Sequence, residues 1–214
     1  MRILLIEDHP IVRAACRGLL QVKGGMEIAE AATAADGLSM ATEFSPDIIV
    51  LDLRLPDGNG LDLLRPLLSH ACGPKIIVFS MYEDPVFAAQ ALEAGAKGYM
   101  TKNDDPDILL DAIDKVGSGG LFLTASMAEK LALMTAGPED NALRDLSSRE
   151  WQVLALLGLG KTLAEVADEL HVSYRTSAHI AAQIRTKLGV TSTAALIKWV
   201  VDHPRLSSPL SHCP

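Results

Sequence analysis

The 214-residue sequence predicts an α/β doubly wound five-stranded parallel sheet over residues 1–120, followed by a small all-α helix-turn-helix domain. Three observations carry this. Ile3-Leu4-Leu5-Ile6, Ile48-Ile49-Val50-Leu51 and Ile76-Ile77-Val78-Phe79 are wholly apolar, as strands covered on both faces must be. Amphipathic stretches separate them, which gives alternating strand and helix. Beyond residue 143 the strand signals vanish and only helical periodicities remain.

Weaker strands fit at 27–31 and 97–100. Asp84-Pro85 reads as N-cap and N1 of a helix over Val86 to Ala94 that Gly95 closes, and Asp105-Pro106 as the same pair ahead of Asp107 to Val116. Gly117-Ser118-Gly119-Gly120 is a breaker cluster at a domain edge. Residues 121–143 read as a linker with a short helix, Ala125 to Thr135, and a second break at Gly137-Pro138-Glu139-Asp140-Asn141. Four helices follow, at 148–158, 163–170, 174–188 and 193–202, within a domain of 144–204; 205–214 reads as a flexible tail. Ser147-x-x-Glu150 and Thr162-x-x-Glu165 are capping boxes, in which a hydroxyl and a carboxylate satisfy helix-start amides reciprocally.

Composition narrows the function classes. With 49% hydrophobic and 21% charged residues the chain is that of a packed domain protein, and no apolar run approaches the ~18 residues of a membrane span. A cytoplasmic protein is expected. Cys16, Cys72 and Cys213 show no metal-type spacing and read as reduced thiols. The net charge of −8 is unevenly held: residues 1–125 carry 10 basic against 18 acidic side chains, and residues 126–214 carry 9 of each. Phosphates would be repelled by the first part, so any nucleic-acid contact belongs to the second.

Chemistry-bearing residues gather at the carboxyl ends of the predicted strands. Glu7 and Asp8 follow the first, Asp52 the third, Ser80 ends the fourth and Lys102 the fifth. Three converging carboxylates need a hard cation, and an all-oxygen set with room for water and phosphate suits Mg²⁺. A phosphoryl group arriving at Asp52 would have its oxygens stabilised by Mg²⁺, the Lys102 ammonium and the Ser80 hydroxyl. Arg54 and Tyr82, two residues beyond Asp52 and Ser80, are expected at the rim as shields against water.

On the helix from 174 to 188, a step of ~100° per residue puts Ser177, Ile180, Ala181, Ile184 and Leu188 on a core stripe, with Arg175, His179, Ala182 and Thr186 opposite. The short helix before it and the turn His171-Val172-Ser173 complete a helix-turn-helix, whose second helix can enter a major groove.

Residues 1–120 resemble the receiver domain of two-component response regulators through Ile6-Glu7-Asp8-His9, Leu51-Asp52-Leu53-Arg54-Leu55-Pro56-Asp57-Gly58, Phe79-Ser80-Met81 and Gly98-Tyr99-Met100-Thr101-Lys102. The resemblance implies a flavodoxin-like fold in which Asp52 accepts a phosphoryl group from a histidine kinase. It also implies Mg²⁺ on Glu7, Asp8, Asp52 and the Arg54 carbonyl, phosphate on Ser80 and Lys102, and Tyr99 as the aromatic that reorients. Residues 144–203 resemble the LuxR-type module of the NarL/FixJ family, through Leu146-Ser147-Ser148-Arg149-Glu150, Val153-Leu154, Glu165-Val166-Ala167, Val172-Ser173, Thr176 and Lys187-Leu188-Gly189-Val190. That implies a transcription regulator that binds double-stranded DNA as a homodimer and catalyses only its own phosphorylation and dephosphorylation.

The expected DNA-facing set is Lys161, Arg175, Ala178, His179, Ala182, Gln183, Arg185 and Lys187, with Lys198 nearby. Arg175, His179 and Gln183 can reach base edges. Ser177 and Ala178 stand where family members usually carry an apolar and then a basic or polar residue, and Ala181, Ala182 and Thr186 where many carry groove-facing Lys or Arg. An alternative therefore stays open: an interaction protein whose helix-turn-helix has weak or no sequence-specific DNA binding. A phosphatase is disfavoured, because such enzymes carry a second Asp two residues after the nucleophile and here Arg54 stands there.

Overall fold

Every residue of Ile3 to Ile6 and of Ile48 to Leu51 is buried, as are Ile76 to Ser80. The structure, a computed structural model, describes residues 1–69, 73–135 and 146–202. The apolar runs form β1 (Arg2–Ile6), β3 (Ile48–Leu51) and β6 (Lys75–Ser80), joined in one parallel sheet by β2 (Glu27–Ala31) and β7 (Gly98–Thr101). A sixth, two-residue strand β8 (Phe122–Leu123) adds parallel to β7, giving the order β2-β1-β3-β6-β7-β8. The sheet thus has six strands, one more than predicted, and continues past Gly120 into the expected linker. Two residues are too few to leave a periodic signal. A small antiparallel hairpin, β4 (Arg54–Leu55) with β5 (Gly58–Asn59), follows β3.

Side chains alternate across the sheet. Ile3, Leu5, Ile48, Val50, Ile77 and Phe79 share one core with Cys16 and Leu20 of α1 (Pro10–Lys23) and with Leu109, Ala112, Ile113 and Val116 of α5 (Ile108–Gly117). Burial raises the Cys16 thiol to about 11, so it stays a protonated core residue. Cys72 and Cys213 lie outside the described residues. The opposite face takes α2 (Ala34–Phe44) and α3 (Gly60–Leu68), which pack on each other. A further helix, α4 (Pro85–Glu93), starts at the expected proline, and Asp84 Oδ1 accepts the Val86 N–H at 2.9 Å.

The α5 start is later than predicted. Asp105 does accept the Asp107 N–H at 3.0 Å, but Ile108, Leu109 and Leu110 donate to carbonyls three residues back, so the first turn is tighter than an α-helix. Beyond β8 come α6 (Ala125–Thr135), then α7 (Ser148–Gly158), α8 (Leu163–Glu169), α9 (Tyr174–Leu188) and α10 (Thr193–Asp202). These match the four helices and the short one expected; the break at 137–141 and the tail at 205–214 lie outside the described residues. Contacts divide the chain into two compact units, Met1–Tyr82 with Phe87–Glu129, and Glu83–Val86 with the described part of Lys130–Pro214.

Candidate functional site

Strand register assembles the first site. Asp52 N–H donates to Ile6 O at 2.9 Å, Glu7 N–H to Ala31 O at 3.0 Å and Lys102 N–H to Ser80 O at 2.9 Å, so the residues leaving four adjacent strands stand side by side. Lys102 Nζ lies 2.7 Å from both Asp52 Oδ2 and Glu7 Oε2. Asp52 is only 2% exposed. Burial pushes its carboxyl up to about 6, opposed chiefly by Lys102 and reinforced by the neighbouring Glu7. For Lys102, burial works against the charge, but Asp52 and Glu7 outweigh it and raise the ammonium above its ordinary value.

Glu7, Asp8, His9 and Asp52 each offer a ligand atom within 4.8 Å of the others. Asp8 Oδ1 is buried and accepts no aligned hydrogen bond from the described residues, although His9 Nδ1 approaches to 2.7 Å. Three carboxylates with one buried oxygen unsatisfied, against a single ammonium, suit a hard cation. His9 was not among the predicted ligands; its position directly after Glu7-Asp8 was the available signal.

Ser80 is fully buried, and its Oγ accepts the Tyr82 N–H at 3.4 Å. The Tyr99 ring is buried too, and its hydroxyl donates to Tyr82 O at 2.7 Å. One peptide segment therefore links both residues. The Tyr82 ring stacks on Phe87, centroids 4.2 Å apart.

The loop after Asp52 carries two features that pattern reading passed over. Asp57 accepts the N–H groups of Ala34 and Ala35 at 2.7 and 2.9 Å, clamping the β4–β5 turn to the start of α2. Slight burial opposes its charge, but the two amides prevail and hold the carboxyl below its usual range. Gly60 opens α3 against the Asp52 backbone: a Cβ there would sit 2.2 Å from Asp52 O and 2.8 Å from Leu53 Cα.

In the second unit both capping boxes are formed, at Ser147 with Glu150 and at Thr162 with Glu165. At the end of α8, His171 adopts a left-handed φ of 51°, with Val172 N–H on Ala167 O and His171 N–H on Asp168 O. This is a Schellman ending with histidine where glycine is usual. Ser177 is fully buried with its hydroxyl 2.9 Å from the carbonyls of Leu163 and Tyr174, which fixes α9 on the first turn of α8. That explains a hydroxyl at a core position. Arg149 of α7 holds the other end of α8, donating to Leu170 O at 2.8 Å.

Arg175, His179 and Gln183 are exposed on α9, with Ala178 and Ala182 half-buried between them and Thr186 exposed. Ala181 is 1% exposed and packs inward, as its place on the core stripe predicts. Lys187 Nζ lies 2.7 Å from Glu150 Oε2, and Lys161 pairs with Glu169, so neither is a spare cation. Burial opposes the Glu150 charge, but Lys187 and Ser147 together lower its carboxyl. Arg185 is half-buried and its Nε has no hydrogen-bond acceptor among the described residues.

Residues 3–114 match the family model of the response regulator receiver domain, and residues 144–200 that of the bacterial regulatory proteins of the luxR family. A nitrate/nitrite response regulator protein homolog of Haemophilus influenzae is 32% identical over 91% of this chain and 93% of its own length. The response regulator GacA of Pseudomonas aeruginosa is 30% identical over 95% and 96%. Among solved structures, a LuxR-family two-component response regulator from Aurantimonas sp. SI85-9A1 is 36% identical, covering 64% of this chain and 98% of that one with a TM-score of 0.61. RcsB of Salmonella enterica serovar Typhimurium, bound to a promoter in the presence of the phosphomimetic BeF3−, is 25% identical over 94% and 98%, with a TM-score of 0.67. Among the described residues no helix is long and apolar enough to cross a membrane. With both halves matched in this order, the chain belongs to the two-component response regulators that carry a receiver domain ahead of a LuxR-type helix-turn-helix.

Proposed function

We propose that a histidine kinase phosphorylates Asp52, and that the phosphorylated protein, as a cytoplasmic homodimer, controls transcription from double-stranded DNA. The observation that supports it best is the Lys102 ammonium held 2.7 Å from Asp52 and Glu7 beside an unsatisfied Asp8 oxygen. Glu7, Asp8, Asp52 and the Arg54 carbonyl would hold Mg²⁺, which supplies charge neutralisation on the phosphoryl oxygens. The Asp52 carboxylate attacks phosphorus, the bond to the donor nitrogen breaks, and the donor keeps the electron pair. Lys102 shifts its ammonium from the Asp52 carboxylate to a phosphoryl oxygen, and Ser80 donates its hydroxyl to another. Because Ser80 and Tyr99 grip the same Tyr82 segment, drawing Ser80 toward phosphate strains the Tyr99 hydrogen bond and reorients the ring. The protein turns over no external substrate in this scheme; it catalyses its own phosphorylation and dephosphorylation. A DNA selection on the purified chain, with and without acetyl phosphate and Mg²⁺, tests the whole reading: enriched sites are expected, more strongly with phosphodonor.

How long the phosphate lasts depends on access for water. Arg54 is exposed beside Asp52 and its N–H donates to the Asp52 carboxylate. Arg54→Ala combined with Tyr82→Ala is expected to shed phosphate several-fold faster, followed by intact mass over time; unchanged decay rules out shielding.

The DNA contacts follow from which cations remain. Arg175 opens α9 exposed, so it is assigned a base edge, and Arg175→Ala is expected to flatten preference at one position per half-site, worth ~1–3 kcal/mol against the wrong base. Lys187 is assigned a dual role, bracing Glu150 and meeting a backbone phosphate, with Lys161 and Arg185 also facing backbone. A second reading, an interaction protein with little sequence preference, is favoured by Ala178 and Ala182 on the exposed face and by the pairing of Lys161 and Lys187. Selected sites indistinguishable from random DNA would establish that reading.

A further inference from the structure

We infer that Arg13 is a positioning residue that holds the Glu7-Asp8 main chain in its cation-binding posture. This rests on the proposal that these acids hold Mg²⁺. Arg13 Nη1 donates to Glu7 O at 2.6 Å and approaches Asp8 O at 3.4 Å. Its Nε donates to Glu30 Oε2 at 3.1 Å, and the other Glu30 oxygen accepts from Arg17 Nη1 at 2.9 Å. The guanidinium is thus anchored at β2 while gripping the loop after β1. Glu7 and Asp8 repel each other and Asp52; His9 holds their side chains, its N–H donating to Glu7 Oε1 at 3.1 Å and its Nδ1 lying 2.7 Å from Asp8 Oδ1, while Arg13 holds their main chain. A cation fixed on their carbonyls turns the main chain toward β2, which leaves the carboxylates toward Asp52. Arg13 also lines a cleft of about 440 Å³ with Glu30, Asp36, Ser39 and Met40, so a shorter side chain opens onto solvent and leaves no core void.

The geometry separates this role from that of a group touching phosphate. Arg13 grips carbonyls, and its planar fork reaches Glu30 and the loop at once, which a lysine cannot copy. Loss of such an outer partner typically weakens metal binding ~10- to 100-fold. The test is Mg²⁺ titration calorimetry on the full chain for wild type, Arg13→Met, Arg13→Lys and Glu30→Gln, with acetyl-phosphate labelling measured across Mg²⁺ concentrations. Arg13→Met is expected to bind Mg²⁺ about tenfold more weakly, with Arg13→Lys and Glu30→Gln between it and wild type. Half-saturating Mg²⁺ for labelling should rise equally, while the rate at saturating Mg²⁺ stays near wild type. An unchanged Mg²⁺ affinity in Arg13→Met overturns the inference, as does loss of the saturating rate with affinity preserved. If Arg13→Met fails to fold, the Arg13→Lys and Glu30→Gln affinities decide it by the same criterion. Wild type that takes up no Mg²⁺ would instead bring down the underlying metal reading.

Discussion

Asp52→Asn is expected to take up no phosphate at all. Intact-mass measurement after incubation with acetyl phosphate and Mg²⁺ should show one added phosphoryl group on wild type and none on the variant. The expectation is physical. Asp52, 2% exposed with an ammonium at 2.7 Å, leaves β3 between β1, which Glu7 follows, and β6, which Ser80 ends, and a carboxylate oxygen must supply the attacking electron pair. An amide keeps the shape and most of the packing but loses that nucleophile. Glu7, equally close to Lys102, is the informative competitor. Residual full labelling of Asp52→Asn would move the acceptor elsewhere in the cluster.

The second large effect is on stability. Gly60→Ala adds one carbon that would stand 2.2 Å from Asp52 O and 2.8 Å from Leu53 Cα, and both are backbone atoms with no rotamer to escape into. The Gly60 N–H also donates to Leu53 O at 2.9 Å, so the turn cannot open without breaking that bond. A loss of about 3 kcal/mol is expected, at the upper end of overpacking costs. The same substitution at Gly18, exposed on α1 with nothing within 4 Å of the added carbon, should stabilise by ~0.5–1 kcal/mol. Urea unfolding followed by circular dichroism compares the two; equal midpoints would show that the β3–α3 turn relaxes freely.

Much of this molecule was readable from order along the chain. Wholly apolar runs gave the buried strands because both faces are covered, and acids, serine and lysine directly after those runs converged because parallel strands end at one edge. Both capping boxes were legible because they are local. What escaped reading depends on approach between distant residues. Lys187 reads from the sequence as a DNA-facing cation, and its pairing with Glu150, 37 residues earlier, is not visible there. Ala181, by contrast, was legible: the core stripe predicted its burial, because helical periodicity is local. Asp57 and Arg13 act on main-chain groups 22 or 23 and 6 residues away, and no spacing rule encodes such partners.

The two borders of the sheet bear on how the protein keeps company with itself. β2 and β8 are the outermost strands. Unpaired backbone there is a template for runaway strand pairing between molecules. β8 offers only Phe122 and Leu123, too short to seed a ladder. β2 is five residues long, but it carries Glu27 and Glu30, and Arg13 and Arg17 lie across Glu30. A neighbour zipping onto that border would have to strip water and arginine from these glutamates. The sheet accordingly resists growth by edge-to-edge pairing at both of its borders.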